Sequence, residues 1–253
     1  MNPQIAPATA AVIIAAPFVG SFLAVVVLRL PAGRTVLFGR SACDACGHVL
    51  AARELLPLAS YAFQRGRCGH CSAAIDPLHP AMEIAAFVIA AWAAFETEGW
   101  VLAASCLLGW TLLTLAAIDW RTGFLPDVLT LPLIAAGLAI AYLLDPGSLA
   151  EHAIGAAAGF IVFAVLSETY RRLRGRDGLG LGDAKLLAAS GAWLGWGALP
   201  SVVLFAAIAG LALVLARRLT GHAVQAAARI AFGPALAAAT WIVWLYGPLV
   251  PGR

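Results

Sequence analysis

The chain has 253 residues, of which 62% are hydrophobic and only 11% charged, and its net charge is +3. Soluble domains carry roughly a quarter charged residues, so an ordinary water-soluble fold is excluded and a membrane protein is the first class to test. The net charge is small, so the information lies in how the charges are distributed along the chain, and no nucleic-acid partner is expected.

A bilayer core needs about 20 apolar residues per helix. Eight runs roughly qualify, at about 9–28, 80–95, 100–118, 128–144, 150–169, 184–199, 200–216 and 230–248. No Lys or Arg precedes Arg29, so the first run lacks the charged start of a signal peptide and reads as a retained helix. The second and sixth runs are short for a span. A single long polar insert, residues 29–79, separates the first run from the second and holds four of the five Cys and six Arg. No internal repeat is evident. The expected fold is an all-α polytopic membrane protein of about eight transmembrane helices with a small cytoplasmic loop domain. Its divisions are a first transmembrane helix over 1–28, the loop domain over 29–79 and a transmembrane domain over 80–253.

Orientation follows from the basic residues. With the N-terminus outside, the inside loops are about 29–79, 119–127, 170–183 and 217–229, and fifteen of the sixteen Lys and Arg lie in them or within two residues of them. Cytoplasmic loops attract Lys and Arg. The outside turns carry acids instead, Glu96, Glu98, Asp145 and Glu151. Both termini are therefore expected outside, in a bilayer whose cytoplasmic face bears the Cys-rich insert.

That insert reads "CDACGHVLAARELLPLASYAFQRGRCGHC". Cys43 and Cys46 form one CxxC, Cys68 and Cys71 another, with 21 residues between the pairs. Each CxxC can wrap one face of a metal, and two supply four thiolates for a tetrahedral Zn²⁺. The gap is one residue outside the usual window. A disulfide pair is the alternative, opposed by the reducing compartment that the charge count implies. His48 and His70 are further possible ligands, but four Cys already fill the shell, so the metal is expected to be structural. Cys106 stands alone in an apolar run and reads as a buried free thiol.

Ionisable groups in membrane helices are costly and usually functional. Asp119 ends the third run, in "LAAIDWRTGFLPDVLT", and Asp183 opens the sixth, in "GLGLGDAKLL". The topology puts both on the cytoplasmic side at similar depth. Taken singly, each reads as well as a helix boundary, Asp183 as an N-cap and Asp127 as a helix-start residue after Pro126. Paired, they suggest chemistry. Two close carboxylates do not both ionise easily, so one can activate a water while its protonated partner polarises a carbonyl. Gly178, Gly180 and Gly182 leave room for another backbone beside Asp183. A phosphate-binding glycine loop needs a preceding strand and a βαβ unit, and neither is visible. Lys185 reads as snorkelling to the interface, or as a cation lowering the pKa of a nearby carboxylate.

These segments, taken together and in order, resemble the type IV prepilin peptidases, the GxGD aspartic proteases that trim prepilins and type II secretion pseudopilins. "VGSFLAVVVLRLP" is similar to the family's first helix, "CDACGHVL…ELLPLASYAFQRGRCGHC…HPAMEIAAF" to its cytoplasmic loop and following helix, and "IDWRTGFLPDVLTLPL" and "GLGLGDAKLLAASGAWLGW" to the regions of its two catalytic aspartates. "AFGPALA" matches its last-helix motif. The resemblance implies that Asp119 and Asp183 are the catalytic pair, that Gly180 and Gly182 are the motif glycines, and that the four Cys hold zinc; beside them, Asp127 and Lys185 are expected to play a supporting part. It implies residence in the bacterial inner membrane and prepilin or pseudopilin substrates. It also implies a second activity, methylation of the new N-terminus with S-adenosylmethionine, linked to the loop and to Gly66. Ala24 stands where the family usually has Asn, Asp44 replaces a Pro, and "HPAME" is a loose match; none of these touches the protease motifs. The rivals are a peptidase without methyl transfer, an ion-coupled transporter with a zinc-bound regulatory loop, and a zinc-binding membrane scaffold. Transporters favour acids near the midplane and paired repeats. A scaffold leaves the Asp pair unexplained.

Overall fold

The computed structural model describes residues 6–36, 40–175, 180–219 and 232–249. Gly178 lies outside the described residues. Each of the eight apolar runs contains a helix among the described residues. The helices are α1 (Pro7–Arg29), a short α2 (Ala59–Phe63) in the polar insert, α3 (Leu78–Glu96), α4 (Gly99–Thr122), α5 (Asp127–Leu144), α6 (Leu149–Arg174), α7 (Leu181–Leu194), α8 (Leu199–Leu219) and α9 (Gly233–Tyr246). Among the described residues there is no strand beyond two isolated bridges.

Eight spans are expected from the sequence; six described helices, α1, α3, α4, α5, α6 and α8, are long and apolar enough to cross a membrane. The run at 80–95, short by its apolar residues, is a 19-residue helix, because the chain enters the helical path at Leu78, straight after Pro77. The two exceptions are α7 and α9, with 14 residues each. At 1.5 Å per residue each rises only about 21 Å, against roughly 30 Å of hydrocarbon. Gly195 (φ 79) stops α7, and a 3₁₀ turn at Trp196–Ala198 leads directly into α8.

The chain divides into two compact units, Met1–Trp110 and Thr111–Arg253. In the first, α1 lies against α3 along a stripe of small residues, Ala16, Gly20 and Ala24, all buried. A Cβ at Gly20 would sit 2.6 Å from the Cα of Glu83, so the two backbones meet there as in other small-xxx-small crossings. Ala24, the departure noted above, belongs to this stripe: its side chain is fully buried. Trp110 in α4 donates its indole N–H to the Ala86 carbonyl at 3.0 Å.

In the second unit α7 is the central element. Ten of its residues are buried, as expected of a helix that is apolar all round, and α5, α6 and α9 pack on it. Glycines set the distances. Gly155 and Gly159 of α6 lie against Gly191 and Leu187 of α7, where a Cβ at either would come 2.6 Å from a carbonyl oxygen. Polar groups then fix the register. Trp193 donates to the Leu133 carbonyl of α5 at 2.9 Å, and the Ser190 hydroxyl meets that of Thr240 in α9 at 2.6 Å. A hydrogen bond buried among apolar residues is strongly favoured over leaving either group unpaired, so these contacts specify one arrangement.

Candidate functional site

Two groups of candidate residues exist, one in each unit. In the second unit Asp119 lies in the last turn of α4 and Asp183 in the first turn of α7. They are 64 residues apart in sequence, yet their carboxylates are close enough to interact electrostatically. Both are buried, with 7% and 8% of their surface exposed.

Each carboxylate is held by one backbone N–H at the start of a short helix. Asp119 Oδ2 accepts from Gly233 N at 3.0 Å, and Gly233 opens α9. Asp183 Oδ2 accepts from Gly180 N at 3.2 Å, at the residue before α7. The first N–H groups of a helix have no partner within the helix, so the acids satisfy donors that would otherwise be orphaned. Asp183 is thus the third residue of α7, reaching back to the N-cap Gly180, and not itself the N-cap. The other oxygens are unpartnered: neither Asp119 Oδ1 nor Asp183 Oδ1 receives a hydrogen bond from a described residue, and Asp183 Oδ1 is fully buried.

The glycines divide by role. At Gly182 a Cβ would lie 2.9 Å from that of Leu125, a buried residue of the α4–α5 loop, so this glycine admits the protein's own loop. Gly180 adopts an ordinary extended conformation (φ −79, ψ 149), and a Cβ there would meet nothing nearer than Asp183 Oδ2 at 3.6 Å. A side chain there would therefore touch that carboxylate at ordinary van der Waals distance. Gly233 was quoted in the sequence only as part of "AFGPALA", with no role assigned. A Cβ at Gly233 would fall 2.6 Å from Asp119 Oδ2, so only glycine lets this N–H reach the acid. The signal available was the Gly-Pro pair at the start of an apolar run. Asp127 is the first residue of α5, as a helix-start reading requires. Lys185 forms an ion pair with it, and Lys185 lies two residues beyond Asp183 on α7.

In the first unit Cys43, Cys46, Cys68 and Cys71 come together, with all four Sγ within 4.8 Å of one another and no disulfide. A tetrahedral zinc with bonds of about 2.3 Å requires sulfur–sulfur edges of about 3.8 Å. Cys43 and Cys71, one from each pair, are separated by 3.8 Å, so the donor set fits such an ion.

Each pair sits in the same small turn. Gly47 N donates to the Cys43 carbonyl and Ser72 N to that of Cys68, both at 2.9 Å. The bridges Ala42–Val49 and Arg67–Ala74 close the two turns. Gly47 (φ 71) and Ser72 (φ 60) occupy matching left-handed positions. This is a structural repeat that the sequence does not announce. Within it, the N–H groups of Cys46 and Ala45 pull the Cys43 thiol down to about 7, and those of Cys71 and His70 lower the Cys68 thiol. The His48 N–H favours the Cys46 thiolate, but burial and the sulfurs of Cys71 and Cys43 outweigh it and push that thiol up to about 11. A cation among the four sulfurs would favour the thiolate form of each. His48 and His70 are not in the cluster; their rings stack on each other at 5.0 Å.

Gly66 precedes the second pair with φ 69, a conformation that favours glycine. A Cβ there would lie 2.9 Å from the Tyr61 hydroxyl.

Fold and sites define a class: a polytopic helical membrane protein with a buried carboxylate pair and a four-thiol cluster able to hold a metal. Residues 106–215 match the model of the type IV leader peptidase family, and residues 14–97 match that of the bacterial peptidase A24 N-terminal domain. A prepilin leader peptidase/N-methyltransferase of Burkholderia pseudomallei (strain 1026b) is 46% identical over 211 residues, covering 83% of this chain and 68% of that protein. One of Aeromonas salmonicida (strain A449) is 42% identical over 213 residues, covering 82% and 72%. One of Pseudomonas aeruginosa is 35% identical over 254 residues, covering 90% and 87%. No solved structure matches the chain significantly. The chain belongs to the type IV leader peptidase family.

Proposed function

We propose that the chain is a bifunctional inner-membrane enzyme that cuts the basic leader from type IV prepilins or pseudopilins and then methylates the new N-terminus. Family membership and the names of its relatives support both activities. The observation that carries the peptidase reading is the pair Asp119 and Asp183, each with one oxygen held by a backbone N–H and one left without a partner among the described residues.

The chemistry follows from that division. The held oxygens fix the two carboxylates in place. The unpartnered oxygen of the ionised member takes a proton from water, whose oxygen attacks the scissile carbonyl carbon. The protonated member donates to the carbonyl oxygen, and a proton is returned to the leaving amine as the C–N bond breaks. No covalent enzyme intermediate is needed. Gly180 places no side chain against Asp183 Oδ2, which favours the approach of an extended substrate backbone. The positive-inside count supports a cytoplasmic orientation for this face and for the thiol cluster. Zinc is the metal the four thiolates suit, in a closed structural role.

The second activity draws on a donor. S-adenosylmethionine, when bound, supplies an electrophilic methyl group: the amine nitrogen forms a C–N bond as the C–S bond breaks, a neutral thioether leaves, and the amine gives up one proton. The test combines both activities. Purified enzyme incubated with a prepilin and S-adenosylmethionine should yield a shortened product one methyl group heavier than the cut alone gives. Asp119→Asn and Asp183→Asn should each insert and fold but leave the precursor uncut. Cleavage by both variants at wild-type rate would overturn the assignment.

A further inference from the structure

The first unit contains a partly open cavity of about 250 Å³. It lies among α1, α3 and the thiol-bearing loop, and none of the peptidase residues touches it. We propose that it binds the methyl donor, S-adenosylmethionine, and that Glu83 faces the donor's cationic methionine end. The proposal rests on the methyl-transfer half of the function above and gives it a location.

The first argument is Glu83 itself. It lies in the first turns of α3, is only 5% exposed and lines the cavity. Its Oε2 accepts from Leu58 N at 2.7 Å, pinning a non-glycine residue at φ 60. Its Oε1 receives no hydrogen bond from a described residue. A carboxylate so largely buried keeps little of its hydration, and nothing in the thiol cluster uses it, since that cluster consists of Cys alone. Glu83 lines the cavity with this oxygen unpaired, and a cation bound there would complete it.

The second argument is the charge of the wall. Four carboxylates, Asp44, Glu54, Asp76 and Glu83, line the cavity against two guanidiniums, Arg29 and Arg34. Arg34 is already paired with Asp44 at 3.1 Å. S-adenosylmethionine carries a sulfonium, an ammonium and one carboxylate, a net charge of +1. An acidic wall with a basic residue at α1 suits that distribution, the acids meeting the cations and Arg29 the carboxylate. Val25, Leu28 and Ile75 supply an apolar side for a flat base. The volume lies just below the ~300–1,000 Å³ typical of ligand pockets, and the cavity is partly open, so a donor there would remain partly exposed.

The third argument explains Gly66, which does not line the cavity. Its missing side chain leaves room for Tyr61, and Tyr61 does line it. A side chain at 66 would therefore push a wall residue rather than remove a contact.

The test is equilibrium binding of S-adenosylmethionine to the full-length, metal-loaded protein in detergent, measured by titration calorimetry. Glu83→Gln keeps an acceptor for Leu58 N–H and removes the charge. It should weaken binding about tenfold or more, and weaken the uncharged-sulfur product S-adenosylhomocysteine distinctly less. Ser60→Trp, which fills the cavity from α2, should abolish binding of both. If Glu83→Gln loses its metal or unfolds early, Ser60→Trp decides alone. Wild-type affinity in the variant that folds overturns the site while leaving methyl transfer intact. A wild-type protein that binds no S-adenosylmethionine and leaves the cut product unmethylated overturns methyl transfer, and this proposal with it.

Discussion

The thiol cluster and the carboxylate pair solve the same problem by opposite means. Each Cys pair is organised by its own neighbours: Cys43 by N–H groups two and three residues on, Cys68 likewise. The loop geometry is written in eight-residue stretches of sequence. The carboxylate pair instead depends on distant backbone, even though Asp183 takes its own N–H from Gly180, three residues back. Asp119 is held by Gly233, 114 residues away, and Asp183 reaches its place only because α7 is enclosed by α5, α6 and α9. A local site tolerates change elsewhere in the chain. A site assembled from distant helices should fail through residues that carry no chemistry at all.

The largest effects test that contrast directly. Asp119→Asn and Asp183→Asn should each lower cleavage by about 10²–10⁴-fold, the usual worth of acid–base groups, with circular dichroism unchanged. Gly233→Ala should come next. The added Cβ would sit 2.6 Å from Asp119 Oδ2 and must displace the carboxylate, and a misplacement of about 1 Å costs roughly 10²-fold. Alanine favours helix over glycine, so α9 should be no less stable. A Gly233→Ala enzyme with wild-type kcat would break the comparison.

Removing Cys68 and Cys71 together should take metal content from about one zinc per chain to none. The loop should become protease-sensitive while α1 and α3 remain inserted. Gly66→Val should fall below these in effect. Its φ of 69 and the Tyr61 hydroxyl both oppose a branched side chain, so mass spectrometry should find methylation reduced more than cleavage. Equal reductions would mean that Gly66 matters only to the fold.

The contrast also governs what the sequence could reveal. The Cys spacing and the apolar runs are local patterns, so the cluster and all eight helices were legible, as was the candidacy of Asp119 and Asp183. The lengths of the last helices were not. The sequence runs are apolar across 184–199 and 230–248, but the helices stop at Leu194 and begin at Gly233, because Gly195 takes a left-handed φ and Gly233 must approach Asp119. These two short helices are the ones whose N-termini hold the acids. A helix too short to span can start within the bilayer's depth, and its first N–H groups then become the fixed donors of a buried site. The Glu83–Leu58 contact was equally invisible: a lone acid in "HPAME" gave no hint of a partner 25 residues earlier.

The smallest predicted effect concerns Asp127 and Lys185, which sit between the two modes of organisation. Their ion pair links the start of α5 to α7 across 58 residues, so it is distant in sequence. Yet the Asp127 side chain is more than half exposed, and exposed pairs contribute about 0–1 kcal/mol. Asp127 follows Leu125 by two residues, and Leu125 fills the space at Gly182, so the pair can hold the α4–α5 loop near Asp183 without touching the reacting atoms. Asp127→Asn and Lys185→Gln should each slow cleavage only several-fold, through kcat more than KM. The double variant should be no worse than either single one, since the second substitution has no pair left to break. Additive losses would show that the two residues act separately, and that Lys185 or Asp127 has a role of its own in the peptidase reaction.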